Sequence, residues 1–202
     1  MPLLIATSNP GKLREYAALR DDRPTPLVSL RDLDLHTLNV DEPFETFAEN
    51  ALHKAAVYAR ESGLLALADD TGLMVDALDG RPGVYSARYG GEGATDADRY
   101  LKILREMAAV PEGERSARFV CVVAVVSPDG TIRESAQGAV EGRIGLAPGA
   151  GHKGFGYDSI FIPQGYDLPF SDIPLAEKNQ LSHRAHAVQA LLPALQRLLE
   201  TG

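Results

Sequence analysis

The sequence predicts an α/β or α+β fold built on a mixed sheet, and three observations carry that expectation. The chain opens as strand, tight turn and helix, the alternation that generates parallel strand pairs. Apolar residues then recur at helical spacing from Phe44 to Ala59. Further on, two long strand-like stretches flank Pro128-Asp129-Gly130, a hairpin signal in which Pro sets the turn and Gly tolerates positive φ.

In chain order, residues 2–7 read as a short buried strand and Ser8-Asn9-Pro10-Gly11 as turn chemistry, followed by helix from Lys12 to Ala17. Residues 20–43 are irregular, because Pro24 and Pro26 break any helix, and 27–30 is a short strand at best. Phe44, Phe47, Ala48, Ala51, Leu52, Ala55, Ala56 and Ala59 form one helical face that Gly63 ends. Residues 64–68 are an apolar strand delivering Asp69-Asp70; Thr71-Gly72 interrupts it, and 73–78 resumes as another strand. A loop with Gly80, Pro82 and Gly83 follows. Thr95 and Asp98 make a variant capping box opening a helix with Tyr100, Leu101, Leu104, Met107 and Ala108 on one side. Residues 117–126 and 131–141 should be the longest strands. A glycine-rich segment, 145–156, leads to a strand over 157–162. Ser182 then caps a helix striped with Ala185, Val188, Leu192, Leu195 and Leu199, which Pro193 should kink or divide.

With 202 residues, 45% hydrophobic and 24% charged, the chain suits one soluble globular domain spanning 1–202, with room for two lobes. Its formal charge of -8 supplies no basic field for a nucleic acid polymer or an anionic membrane. A small anionic substrate is still compatible, because a cation and a few lysines reverse the potential locally. The single cysteine, Cys121, lies in an apolar run and reads as a buried, inert thiol. No run approaches the ~20 apolar residues that span a bilayer, and the start has no leader pattern, so a cytoplasmic protein is expected.

Several residues could carry chemistry. Thr7, Ser8, Asn9, Pro10, Gly11 and Lys12 lie where a strand hands over to a helix, so backbone N–H groups and the helix dipole face the turn, a phosphate site in outline. It is not a P-loop, and a capped helix with a solvated lysine is the plain alternative. Asp69 and Asp70 end an apolar strand, where adjacent carboxylates need a cation or hydrogen bonds. A hard divalent ion fits. Strand alternation nevertheless turns the two acids to opposite faces, making one of them structural. Glu42 can supply a second oxygen to the same metal, although the start of a helix is an ordinary place for acids. Asn50 and Lys54, four apart, share a helix flank and can address one ligand. Phe155 between Gly154 and Gly156, followed by Tyr157 and Asp158, offers a ring to a flat ligand or to a core. His183 and Arg184 stand at a helix start, against the dipole, and so hint at function. His36, His53, His152 and His186 lack metal-ligand spacing.

Taken in order, Ala6 to Lys12, Thr46-Phe47-Ala48-Glu49-Asn50-Ala51 with Lys54, Ala68-Asp69-Asp70-Thr71-Gly72-Leu73, Pro82-Gly83-Val84-Tyr85-Ser86-Ala87-Arg88-Tyr89, Gly154-Phe155-Gly156-Tyr157-Asp158 and Lys178 before Ser182-His183-Arg184 closely resemble the Ham1-like inosine/xanthosine triphosphate pyrophosphatases. The resemblance implies a two-lobed α/β protein, with a central mixed sheet flanked by helices and a cleft between the lobes, usually a homodimer. It further implies hydrolysis of ITP, dITP and XTP to monophosphate and pyrophosphate with Mg²⁺. By position, Asp70 resembles the family's proton acceptor and metal ligand, and Glu42 its other metal acid. Thr7 to Lys12 and Lys54 match phosphate-side positions. Thr71, Phe155 to Asp158, Lys178, His183 and Arg184 match nucleotide-binding positions.

On that footing water attacks the α-phosphorus in line, Asp70 takes its proton, and Lys12 and Lys54 hold the β- and γ-phosphates. Phe155 stacks on the base, and Arg184 with His183 donates to the 6-oxo group. Adenine presents a donor there and is rejected, whereas guanine, also 6-oxo, is not separated by this device. Two other readings stay open. One is a Maf-like pyrophosphatase, disfavoured by Ser182-His183-Arg184 and the Phe155 segment. The other is a catalytically silent nucleotide-binding module, disfavoured by Glu42 with Asp70.

Overall fold

A computed structural model describes residues 2–18, 26–151 and 154–200, leaving aside the side chains of residues 17, 18, 199 and 200. Arg20, Pro24, His152 and the side chains of Ala17 and Leu199 therefore lie outside the described residues. The elements run β1 (Leu3–Ile5), α1 (Pro10–Ala18), β2 (Leu27–Ser29), α2 (Phe47–Ser62), β3 (Leu65–Val75), α3 (Asp96–Glu106), β4 (Ser116–Val126), β5 (Arg133–Ile144), β6 (Phe161–Pro163), α4 (Leu175–Leu181) and α5 (His183–Glu200). One six-stranded sheet has the order β2-β1-β3-β4-β5-β6. β1 is parallel to β2 and β3, and β5 is antiparallel to β6, so the sheet is mixed, as expected.

The chain divides into two compact units. The first comprises Met1–Asp70, Cys121–Gly138 and Arg184–Gly202; the second comprises Thr71–Val120 and Ala139–His183. In the first unit the period of two sorts the core. Leu4, Ala6, Ala66, Ala68, Val122, Ala124 and Val126 pack with Ala51, Ala55, Tyr58 and Ala59 of α2. Their neighbours Leu3, Ile5, Leu65, Leu67, Cys121, Val123 and Val125 pack with Tyr16 of α1 and Ala187, Val188 and Leu191 of α5. Helices thus cover both faces. The run around Cys121 is apolar throughout because both of its faces are buried.

The second unit gathers Leu73, Val75, Ile103, Met107, Phe119, Ile144, Tyr157, Phe161 and Phe170 into one core. Arg115, buried there, donates to the carbonyls of Met107, Val110, Ile144 and Gly145, tying the end of α3 to β4 and β5. Burial pushes this guanidinium below its ordinary pKa, a cost that the hydrogen bonds offset.

Caps and turns are where local chemistry put them. Thr46 accepts from Glu49 N–H to start α2, Gly63 ends it at φ 69°, and Thr95 with Asp98 forms the capping box of α3. Gly130, at φ 72°, makes the turn between β4 and β5. Other expectations change. Phe44 precedes α2 and is exposed. Thr71-Gly72 does not interrupt β3, which runs unbroken from Leu65 to Val75 before a short 3₁₀ turn at Asp76–Leu78. On α3 the buried stripe is Tyr100, Ile103, Leu104 and Met107, whereas Leu101 and Ala108 are exposed, one residue off the 3.6 repeat. The strand expected over 157–162 is only Phe161–Pro163, and α5 continues through Pro193. α4 was not expected. No described helix is long and apolar enough to cross a membrane.

Candidate active site

The parallel register fixes where the acids lie. Leu3 pairs with Leu65 and Ile5 with Leu67, so Asp69 and Asp70 sit two and three residues past the end of β1. That is the carboxyl end of the parallel strands, where open α/β sheets bind ligands. Continuing the alternation of β3, Asp69 belongs with Leu65 and Leu67 on the face of α1 and α5. Asp70 belongs with Ala66 and Ala68 on the face of α2.

Their partners follow suit. Asp69 Oδ2 lies 2.7 Å from Lys12 Nζ and 3.3 Å from Arg184 Nη2, while Arg184 Nη1 donates to Glu15. Two acids meet two cations, nearly all of it buried. Burial alone would push the Asp69 carboxyl upward, but the charges of Lys12 and Arg184 overcome it and hold the group well below the usual carboxylate range. The Tyr16 hydroxyl beside it is pushed well up, by burial and then by the charge of Asp69.

On the other face, the fully buried Asn50 amide donates to Asp70 Oδ2 at 3.1 Å and to the Phe44 carbonyl at 3.2 Å, and accepts the Phe44 N–H at 3.0 Å. Asn50 thereby fastens the segment before α2 to Asp70. One turn on, Lys54 donates to Glu42 in that segment and stands 3.7 Å from Asp70 Oδ1. Burial pushes the Asp70 carboxyl up; Lys54 pulls it down and Glu42 adds to the rise, and the net lies above the ordinary value. Glu42 and Asp70 are hard oxygen donors. Among the described residues no group of three or more His, Cys, Asp and Glu side chains could hold an ion. Two carboxylates with the remaining positions left to water and phosphate is a set that suits Mg²⁺.

At the start of α1 the outline of a phosphate site is modified. Asn9 Oδ1 accepts the N–H of Gly11 at 2.8 Å and of Lys12 at 3.3 Å, and Pro10 has none to offer. Those donors serve the cap. Thr7, whose Oγ1 accepts the Asn9 N–H, and the exposed Ser8 complete the turn.

The second unit holds Thr71, Phe155 to Asp158, Lys178 and His183. Asp158 Oδ2 accepts the Phe155 N–H at 2.8 Å and lies 2.6 Å from Lys178 Nζ, a buried pair. Lys178 Nζ is 5.4 Å from the Phe155 ring centre and 5.6 Å from that of Phe170, within cation–π range. Gly154, at φ 97°, is required because a Cβ there would collide with the Asp158 carboxylate. Tyr157 is buried and donates to the Ser86 carbonyl. His183 stacks on Phe119 with ring centres 4.7 Å apart and planes 13° apart.

The Arg184 side chain is fully buried, and its terminal nitrogens face Glu15 and Asp69. The two carboxylates also resolve the conflict of a cation at a helix start. Glu15 was missed by sequence reasoning. It stands one turn after Lys12, hence on the same face of α1, and that spacing was the available signal.

The chain resembles known proteins over nearly its whole length. The Ham1 family profile matches residues 3–194. A dITP/XTP pyrophosphatase of Geobacter sulfurreducens is 48% identical over 189 residues, 94% of each chain, and one from Bacillus subtilis is 41% identical over 193 residues, 96% of each. Among solved structures, a HAM1 protein from Coxiella burnetii aligns with TM-score 0.87 at 36% identity, covering 98% of this chain and 99% of that one.

Proposed function

The chain belongs to the Ham1 family, and from that premise we propose that it hydrolyses the non-standard purine nucleotides ITP, dITP and XTP to monophosphate and pyrophosphate, clearing them from the nucleotide pool. The observation that carries this reading is the cluster of Asp70, Glu42, Lys54 and Asn50 at the carboxyl end of the parallel strands. Mg²⁺ held by Glu42 and Asp70 would neutralise triphosphate charge and acidify water.

The chain's own groups do the rest. Asp70, its basicity raised by burial, accepts a proton as water forms a bond to the α-phosphorus and the bond to the bridging oxygen breaks. Asn50 holds the carboxylate in place. Lys12 and Lys54 take the β- and γ-phosphates, with the Thr7 and Ser8 hydroxyls and the turn through Asn9, Pro10 and Gly11 lining the phosphate side. In the second unit Phe155 stacks on the base within the Gly156-Tyr157-Asp158 segment, and Thr71 and Lys178 bind nucleotide. His183 donates to the 6-oxo group. Arg184, holding Asp69 and Glu15, fixes the start of α5 that carries His183. The proposed setting is the cytoplasm, with the chain as a homodimer.

Hydrolysis of ITP, XTP, ATP, GTP and TTP with Mg²⁺, scored for pyrophosphate against orthophosphate, tests this. ITP and XTP should lead ATP and TTP, with pyrophosphate as first product; orthophosphate first would sink attack at the α-phosphorus.

A further inference from the structure

Within the second unit, the stretch 154–158 around Phe155 is fastened by groups outside it. The Gly156 N–H donates to Asp96 Oδ2 at 2.7 Å, across 60 residues of sequence. The Asp158 carbonyl accepts the Ser171 N–H at 3.2 Å. The adjacent Asp172 Oδ1 accepts the Gly151 N–H at 2.6 Å and the Ser171 hydroxyl at 2.8 Å. One carboxylate therefore grips the backbone directly after Phe155. The other grips the same loop four residues before it, from a turn that also bonds Asp158.

Steric fit is as specific as the hydrogen bonds. A Cβ on Gly149 would come within 2.8 and 2.9 Å of the two Asp172 carboxylate oxygens, and one on Gly151 would collide with Asp172 and the Ser171 carbonyl. Glycine at both places is what lets the backbone close on Asp172. Asp96 is the first residue of α3, yet the helix is already capped by Thr95 and Asp98. Its second oxygen accepts from Arg99, which orients the carboxylate. The bond to Gly156 is thus additional to what α3 needs. Amide to carboxylate hydrogen bonds are about twice as strong as neutral ones.

We propose that Asp96 and Asp172 are positioning residues for nucleotide recognition, gripping the loop on either side of Phe155 so that its ring is preset for the base. The inference rests on the base-binding reading of Phe155 to Asp158. Gly154 and Gly156, at φ 97° and 64°, give this stretch large freedom in isolation. Restricting it before binding removes an ordering cost from association, so the effect falls on KM and not on kcat.

The sequence contains no tryptophan, so Phe155→Trp creates a single-site reporter. In that background, Asp96→Ala and Asp172→Ala should each increase acrylamide quenching of the nucleotide-free protein. Each should raise KM for ITP about tenfold, the equivalent of one charge-assisted hydrogen bond, with kcat within about twofold. Asp96→Asn and Asp172→Asn retain a carbonyl acceptor and should recover most of the loss. Asp98→Ala, which breaks the cap of α3 without touching the loop, should lower the melting temperature and leave KM alone. Unchanged KM and quenching in both alanine variants, or a KM rise matched by Asp98→Ala, overturns the proposal. Should Asp172→Ala fail to fold, Asp96→Ala decides. If Phe155→Ala leaves KM unchanged, the base-binding reading fails instead, and the quenching comparison still reports whether the two carboxylates hold the loop.

Discussion

Asp69 and Asp70 are neighbours in sequence and opposites in environment. On the α1 and α5 face Asp69 pairs with Lys12 and Arg184, and Arg184 pairs with Glu15 as well. On the α2 face Lys54 meets both Glu42 and Asp70. On the first face Lys12 and Arg184 overcome burial and hold the Asp69 carboxyl well below the ordinary range, whereas on the second burial outweighs the pull of Lys54 and lifts Asp70 above it. A divalent cation beside Glu42 and Asp70 would add positive charge where a triphosphate has to be met. One residue type at adjacent positions is thus made strongly acidic on one face and less acidic than usual on the other by what packs against it.

The most forceful way to break this contrast is Asp70→Asn. Loss of the proton acceptor should lower kcat by ~10³-fold or more, while the unfolding midpoint stays level or rises, because a buried carboxylate with a raised pKa has been removed. Pyrophosphate release and thermal unfolding read the two halves, and near-normal turnover would remove Asp70 from its role. Asp69→Asn should do the reverse. Removing the buried carboxylate that pairs with Lys12 and Arg184 should cost about 3–5 kcal/mol in denaturant unfolding, with a far smaller fall in kcat. An Asp69→Asn protein as stable as wild type would show that the network contributes nothing.

Titration sharpens the contrast through opposite signs. The Asp69 pKa is lower folded than unfolded, so its stabilisation is fully present above the ordinary carboxylate value of about 4 and is lost progressively as pH falls from there through the depressed folded value. The Asp70 pKa is higher folded than unfolded, so it destabilises progressively as pH rises from about 4 through its folded value. Relative to wild type, Asp69→Asn should flatten the acid limb of stability, and Asp70→Asn should gain stability toward neutral pH; parallel curves would refute the assignment. The smallest expected effect is that of Asn50→Ala. It removes the amide linking Phe44 to Asp70 and should cost about 1–3 kcal/mol with a rise in the Mg²⁺ concentration needed for half-maximal rate. An unchanged Mg²⁺ requirement would mean that Asn50 does not hold Glu42 in reach.

Much of this was legible before any coordinates. Period two along β3 separated the two acids, and the four-residue spacing of Asn50 and Lys54 placed both on one flank, where both now reach Asp70. The capping box, Gly63 and the turn at Gly130 were equally local, and they stand. What failed was judged on local grounds that distant contacts overrode. Thr71-Gly72 looked like a break, yet β3, a neighbour of β4 in the sheet, runs unbroken through them, and ladder bonds outweigh weak local propensity. At the α1 turn the contacts are local instead: Asn9 takes the N–H groups of Gly11 and Lys12, the capped helix that was the plain alternative there.

The sequence by itself determined which residue types alternate, cap and turn, and hence the mixed sheet and the two faces of β3 on which the paired acids lie. Only the tertiary structure decided which cation meets which acid. Arg184 lies 115 residues from Asp69 and 169 from Glu15, and Asp96 lies 60 from Gly156. Periodicity constrains neighbours within a turn or two of backbone, but the cations that hold the Asp69 carboxyl acidic are groups that chain folding alone brings to it.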